Sequence, residues 1–266
     1  METTIPRDLD EALAAAAAAP EATILAGGTD LMVSVNLHGL RPAAVIAIRR
    51  IPELREWDGD FIGAGVTYRR LEAGPIPALA AAARTVGSPQ IRSAGTIGGN
   101  LGTASPAGDS LPFLAAVDAA IVLRSAAGER IVPWDEFITG PKRNTRKPGE
   151  LIIGVRLPAR LPARQAFAKV GVRNAMVIAI ASCCVTRDED GGTRVALGSV
   201  GPTTIRARRA EAMISAERRP SEAAKQEFAR LVMEEVRPIT DHRSTAEYRR
   251  HAAGVMARRL LERVLP

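Results

Sequence analysis

The chain has 266 residues, 46% of them hydrophobic, enough to bury a sizeable core in two domains or in one domain with a large appendage. A net charge of +7 and an isoelectric point near 10.2 suggest nucleic acid, but only 3% of residues are aromatic and the basic residues are scattered, which argues against it. No apolar run is long enough to cross a bilayer, and METTIPRDLDEAL has no basic region leading into an apolar core. A membrane span and a secretory signal are therefore not expected, and the cytoplasm is the expected compartment.

Only four of the 36 basic residues are lysine (Lys142, Lys147, Lys169 and Lys225), and this arginine excess fits a GC-rich coding bias. Such an electropositive surface suits an acidic partner. The two cysteines, Cys183 and Cys184, are adjacent in an apolar run. Neighbours on a strand point to opposite faces, so they are expected to be plain strand residues without a mutual disulfide. Two thiols also cannot hold an iron–sulfur cluster or a structural zinc.

In chain order, Asp8 to Ala19 predicts an alanine-rich helix and Thr23 to Ala26 a short strand broken by Gly27 and Gly28. Thr29 or Asp30 can cap a helix running to His38, with Gly39 as its stop. Pro42 to Ile48 predicts a buried strand. Strand, glycine turn, helix and strand make a parallel crossover unit, with Gly27 and Gly28 at a helix N-terminus where anions are favoured. Phe61 to Val66 predicts the next strand. Its Gly63-Ala64-Gly65 imitates a dinucleotide fingerprint, but Tyr68 stands where the third glycine belongs, so the glycines are expected to serve close strand packing.

Ile76 to Val86 predicts a helix, followed by the long glycine-rich stretch Gly95 to Asp109, GTIGGNLGTASPAGD, expected to be a loop without secondary structure of its own. This stretch and LAGGTDL (Leu25 to Leu31) contain glycines, small hydroxyls and almost no chemistry. Two such turns suit a phosphate-bearing cofactor held by backbone N–H groups. Asp109 is expected to cap the helix LPFLAAVDA. Ala120 to Arg124 and Ile131 to Pro133 predict a hairpin, and Glu150 to Leu157 a strand. Pro158 and Pro162 bracket a stiff linker, the best domain boundary in the chain.

After the linker, Ala166 to Val172, Val177 to Thr186 and Thr193 to Val200 predict three strands, the last two antiparallel across DEDGG. Two helices follow. Ser221 caps the first, with Phe228, Leu231 and Val232 on its apolar face. Glu247 begins the second, with Tyr248, Ala252, Val255, Arg259 and Leu260 along one face. The expected second domain is α+β, a three-stranded antiparallel sheet with helices.

Familiar catalytic patterns are missing. His38, His242 and His251 lie far apart, and there is no HExxH motif. Neither Ser105 nor Ser110 sits in a nucleophile elbow, and no P-loop occurs. Asp118 and Glu129 pair with no other carboxylate by spacing.

AGGTDL (Ala26 to Leu31) and TIGGNLGTASPAGD (Thr96 to Asp109) resemble the paired flavin-binding motifs of the FAD-carrying medium subunit of molybdenum hydroxylases, the family that includes carbon monoxide dehydrogenase and bacterial xanthine dehydrogenase. RPAAVIAIRRIPEL, VGSPQIRSAGTIGGN, GELIIGVRLP and DHRSTAEYRRHAAGVMARRLL agree in order, so the resemblance covers nearly the whole chain. It implies an α+β protein: a two-lobed FAD-binding domain of the vanillyl-alcohol-oxidase (PCMH) type over 1–158, with lobes of about 1–54 and 55–158. A C-terminal α+β domain over 163–266 follows.

The resemblance also implies site residues. Ala26, Gly27, Gly28, Thr29 and Asp30, flanked by Leu25 and Leu31, form the first cradle of the FAD diphosphate. Thr96, Ile97, Gly98, Gly99 and Asn100 form the second. Leu101 and Gly102 pass near the flavin ring, Ser105 belongs to the same cofactor-binding stretch, and Asp109 hydrogen-bonds FAD. Either Ile152 or Ile153 lies beside the cofactor, and Lys169 contributes to the pocket. Gly98→Val is expected to strip flavin without unfolding the chain. Two features depart from many relatives: NAMVI (Asn174 to Ile178) has neither the Asp nor the aromatic that many of them carry there, and the N-terminus lacks an aromatic lead-in.

By the same resemblance this chain holds no catalytic residue and no metal. A large subunit carries molybdopterin, a small subunit carries 2Fe–2S clusters, and reduced FAD passes electrons to NAD, a quinone or oxygen. The assembly implied is a dimer of heterotrimers. A stand-alone FAD-dependent oxidoreductase and a module that has lost its cofactor are the other readings.

Overall fold

The structure is a computed structural model that describes residues 2–266. Its first unit contains β1 (Glu2–Thr4), α1 (Leu9–Ala18), β2 (Thr23–Leu25), α2 (Leu31–His38) and β3 (Ala44–Ala47), with the strands in the order β1-β3-β2 and all parallel. The Asp8 side chain caps α1, whose Leu9, Ala12, Leu13 and Ala16 are buried. Gly39 ends α2 at φ 67°, a left-handed turn that glycine adopts without a Cβ penalty. The predicted parallel crossover is present.

A turn of 3-10 helix, Glu53–Arg55, leads to the second unit. It contains β4 (Trp57–Asp58), β5 (Phe61–Gly63), α3 (Tyr68–Glu72), α4 (Pro77–Arg84), α5 (Pro89–Ala94), α6 (Ile97–Thr103) and α7 (Leu111–Ala116). After these come β6 (Ala120–Ser125), β7 (Gly128–Pro133), α8 (Trp134–Phe137), β8 (Ile138–Gly140), β9 (Arg143–Asn144) and β10 (Leu151–Arg156). Its main sheet has the order β4-β5-β10-β6-β7 with every pair antiparallel, and β8 and β9 form a separate hairpin. Gly63 pairs with Gly154, and a Cβ on Gly63 would stand 2.4 Å from the Leu54 carbonyl oxygen. Close packing is therefore what the Gly63-Ala64-Gly65 run serves.

The glycine-rich stretch is not the loop expected of it. Seven of its residues form α6, capped by the Thr96 hydroxyl, which accepts from the Gly99 amide at 3.0 Å. Three of those seven are glycines, each costing about 1 kcal/mol relative to alanine in a helix. Tertiary contacts hold the helix. The Ile97 and Gly98 amides donate to the carbonyls of Val66 and Ala64, and the Asn144 side chain donates to the Gly102 carbonyl at 3.0 Å. Asp109 does not cap α7; Ser110 occupies that position without a side-chain cap bond.

The third unit contains β11 (Arg164–Val170), β12 (Ala181–Arg187), β13 (Thr193–Gly198), β14 (Ile205–Arg206), α9 (Arg208–Ser215), α10 (Glu222–Glu235) and α11 (Ala246–Val264). The sheet has four antiparallel strands, not three, because β14 adds to its edge. Two residues are too few for sequence periodicity to register. The strand expected from Val177 starts only at Ala181. The apolar face of α11 is also rotated from the expected one: Tyr248 and Arg259 are exposed, whereas Arg249, Ala253, Met256, Ala257 and Leu260 are buried. All seven residues of β12 are buried, because the sheet packs on both faces. Cys184 faces the core of the second unit and Cys183 the core under α10 and α11, both as free thiols.

Candidate functional site

The turn after β2 and the start of α6 abut. A Cβ on Gly27 would stand 1.9 Å from the Ala94 carbonyl oxygen and 3.0 Å from the Gly95 Cα. Farther along, Thr103 donates to Asp30 at 3.3 Å. The two glycine stretches thus form neighbouring walls of one cleft. Beside them a cavity of about 150 Å³ is lined by Ala26, Arg49, Arg55, Ser93, Ala94 and Thr96. Arg49 and Arg55 were not singled out from sequence. Arg49 follows the carboxyl end of a parallel strand, where ligands bind in open α/β sheets, and that signal could have found it.

The walls differ in chemistry. None of the five amides from Gly27 to Leu31 donates to another described residue. They crowd the N-terminus of α2, where the helix dipole adds positive potential, and Gly28 makes the turn at φ 73°. Leu25 and Leu31 brace this turn half-buried. On the other wall the amides of Ile97, Gly98 and Gly99 already have protein partners. A Cβ on Gly98 would stand 2.5 Å from Ala64 Cβ, so that glycine serves internal packing, and the expectation for Gly98→Val does not hold. Ile97 and Leu101 point into the core. Gly99 and Gly102 are the accessible glycines; a Cβ on Gly102 would meet only Ile152, at 3.7 Å. Ile152 therefore neighbours α6, whereas Ile153 packs into the core of the first unit.

Asp109 lies at the junction of the second and third units, 8% exposed. Its Oδ2 accepts from Lys169 Nζ at 2.7 Å, and the lysine also donates to the Thr85 carbonyl at 3.0 Å. Its Oδ1 is buried with no partner. Burial pushes the carboxyl up to about 6, against the pull of the Lys169 ammonium. Ser105 accepts from the Ala107 amide at 3.3 Å and shapes the SPAG turn, with no described contact to the cleft walls. Among the described residues no cluster of three or more His, Cys, Asp or Glu could hold a metal. No described helix is long and apolar enough to cross a membrane.

A parallel lobe and an antiparallel lobe meeting at a turn of bare amides, followed by an antiparallel sheet under two helices, define an α+β cofactor-binding protein. The family described as the FAD binding domain in molybdopterin dehydrogenase matches residues 1–160, and the CO dehydrogenase flavoprotein C-terminal domain matches 166–264. The chain is similar to the carbon monoxide dehydrogenase medium chain of Hydrogenophaga pseudoflava, with 33% identity over 255 residues covering 91% of this chain and 88% of that one. It is also similar to the xanthine dehydrogenase FAD-binding subunit of Escherichia coli O157:H7, at 30% identity with the same coverages. Among solved structures it superposes on carbon monoxide dehydrogenase from Hydrogenophaga pseudoflava lacking the Mo-pyranopterin moiety of its molybdenum cofactor. The TM-score is 0.91 at 32% identity, covering 99% of this chain and 96% of that one.

The chain therefore belongs to the family of FAD-binding medium subunits of molybdenum hydroxylases. The residues present fit FAD. Bare amides suit a diphosphate, the unpartnered Asp109 Oδ1 suits a ligand hydroxyl, and Gly102 leaves open space beside Ile152.

Proposed function

We propose that this chain is the flavin-carrying electron-transfer subunit of a molybdenum hydroxylase. It takes electrons from the 2Fe–2S clusters of a small partner subunit and passes them to an external acceptor such as NAD, a quinone or oxygen. A large partner subunit carries molybdopterin and the substrate pocket. Residues 1–158 form the FAD-binding domain and 163–266 the C-terminal domain. The observation that carries this reading is the row of bare amides from Gly27 to Leu31 facing α6 across one cleft.

When bound, FAD supplies the exchange between one-electron clusters and a two-electron acceptor. The chain's own residues bind and orient it. Amides of the first turn hold the diphosphate, and the hydroxyls of Thr29 and Thr96 add donors. Asp109 accepts a hydroxyl on Oδ1 while Lys169 balances its charge. Gly102 leaves open space beside Ile152 for the ring system. Ile97, Gly98, Leu101 and Ile153 support these walls from behind, and Gly99 and Asn100 border the cleft. On α2, Met32, Val33 and Leu37 are exposed, an apolar strip for a partner subunit to cover.

The test is co-expression with neighbouring reading frames and purification of the complex. It should contain one FAD per copy of this chain, together with iron and molybdenum. Removing the iron–sulfur subunit should stop flavin reduction by substrate while dithionite still reduces it. A solitary yellow protein that oxidises a small substrate unaided would instead make it a stand-alone flavin oxidoreductase. A complex without flavin would make it a module that has lost its cofactor.

A further inference from the structure

One side chain of the α6 wall has its orientation set by a buried chain of hydroxyls. The Tyr68 ring lies in the core of the second unit, 4% exposed, and its phenol oxygen is 3.3 Å from the Oγ of Ser110. Ser110 is fully buried and donates at 2.7 Å to Oδ1 of Asn100. Tyr68 has no other side-chain hydrogen bond among the described residues, and burial pushes its phenol above the usual value, so the proton stays on.

These facts decide the direction of the chain. If the phenol accepted from Ser110, its own buried proton would have no acceptor. It must therefore donate to Ser110, whose single proton then passes to an amide oxygen. That requires Asn100 to present Oδ1, not Nδ2, to Ser110, the arrangement in the structure, which leaves Nδ2 as the uncommitted end of the amide. Nδ2 makes no hydrogen bond to a described residue. Gly108 leaves the amide its space, since a Cβ there would stand 2.5 Å from Nδ2. Backbone contacts tie the same elements together: the Tyr68 amide donates to the Gly95 carbonyl at 3.0 Å, one residue before α6 is capped.

We propose that Tyr68 and Ser110 are positioning residues of the cofactor site, holding the Asn100 amide so that its N–H donors, and not its carbonyl, face the acceptor atoms of the bound flavin dinucleotide. This rests on the proposed FAD binding. A phosphate or flavin acceptor atom has no proton to offer a carbonyl, so an inverted amide would exchange attraction for repulsion. In Tyr68→Phe the Ser110 proton is free to turn elsewhere and the amide is no longer confined to one orientation.

The test uses the purified complex. Tyr68→Phe and Ser110→Ala should each weaken FAD binding about three- to tenfold, the worth of one net hydrogen bond. The double variant should be no worse than the stronger single one, because both act through one relay. Each should also shift the visible flavin bands, which loss of packing alone would not do. Gly108→Ala, which displaces the amide and leaves both hydroxyls, should weaken binding as well. Additive losses in the double variant would overturn the proposal, as would variants that melt earlier yet keep wild-type FAD affinity and spectrum. A wild-type complex with no FAD would overturn the cofactor reading itself, and the positioning role with it.

Discussion

Asp109 is half of a buried pair whose other half, Lys169, comes from the sheet of the third unit. Its carboxyl has been raised to about 6, so the folded state disfavours the charged form. The resulting destabilisation begins as pH rises past the ordinary carboxylate value and is complete above about 6. In the protein without flavin, stability from this group should therefore increase as pH falls from 6 to 4. Thermal unfolding across that range should show the slope, and Asp109→Asn should remove it. Asp241 acts in a separate window. Desolvation works against its charge, but bonds from the Arg243 amide and the Arg249 guanidinium hold it down to about 2. The glycines make a second contrast. Gly98→Val should cost about 1–3 kcal/mol, by overpacking against Ala64, in a urea melt. Gly102→Ala should unfold no earlier than wild type yet retain less flavin on gel filtration, because its added methyl enters open space beside Ile152. From the sequence these two glycines are indistinguishable; only their neighbours separate them.

At the scale of elements, α6 is the instructive case. Its glycine content argued for a loop, and it is a helix because both of its ends are anchored from outside. At the C-terminal end Asn144 donates to the Gly102 carbonyl, and the Lys142 amide donates to that of Ala104. Asn144→Ala should cost about 1 kcal/mol, and it should speed amide hydrogen exchange over residues 101–104 while leaving α4 protected. Helices with local signals were legible instead. Asp8, Ser221 and the stop at Gly39 act through side chains or φ angles within a few residues of the helix they bound. The register of α11 was not, since Arg249 is buried only because the Ile180 and Ser199 carbonyls and Asp241 receive its guanidinium. Periodicity assigns such a charge to solvent.

Across the whole molecule, Arg206 joins the Lys169–Asp109 pair and a shared apolar core in fastening the third unit to the second. Arg206 of β14 ion-pairs with Glu211 and bonds both Asp118 and the Ala115 carbonyl at the end of α7. Arg206→Ala leaves Glu211 buried beside weaker partners and should cost about 3–5 kcal/mol in urea unfolding. The sheet that Arg206 edges has one face on the second unit, which explains how Lys169 of its first strand can reach Asp109.

Local order in this chain was decided locally. The crossover at Gly27 and Gly28, the capped helices, the opposed cysteines and the two motifs that mark the family all depend on residues near one another in sequence. Tertiary structure alone decided which amides of the two glycine stretches stay free, since their competitors are the carbonyls of Ala64 and Val66 some thirty residues away. It also decided which isoleucine of β10 borders α6, and that a phenol in α3 governs an amide in α6. Hydrogen bonds of this kind are satisfied or left open by groups that folding brings together, and no spacing along the chain records that meeting.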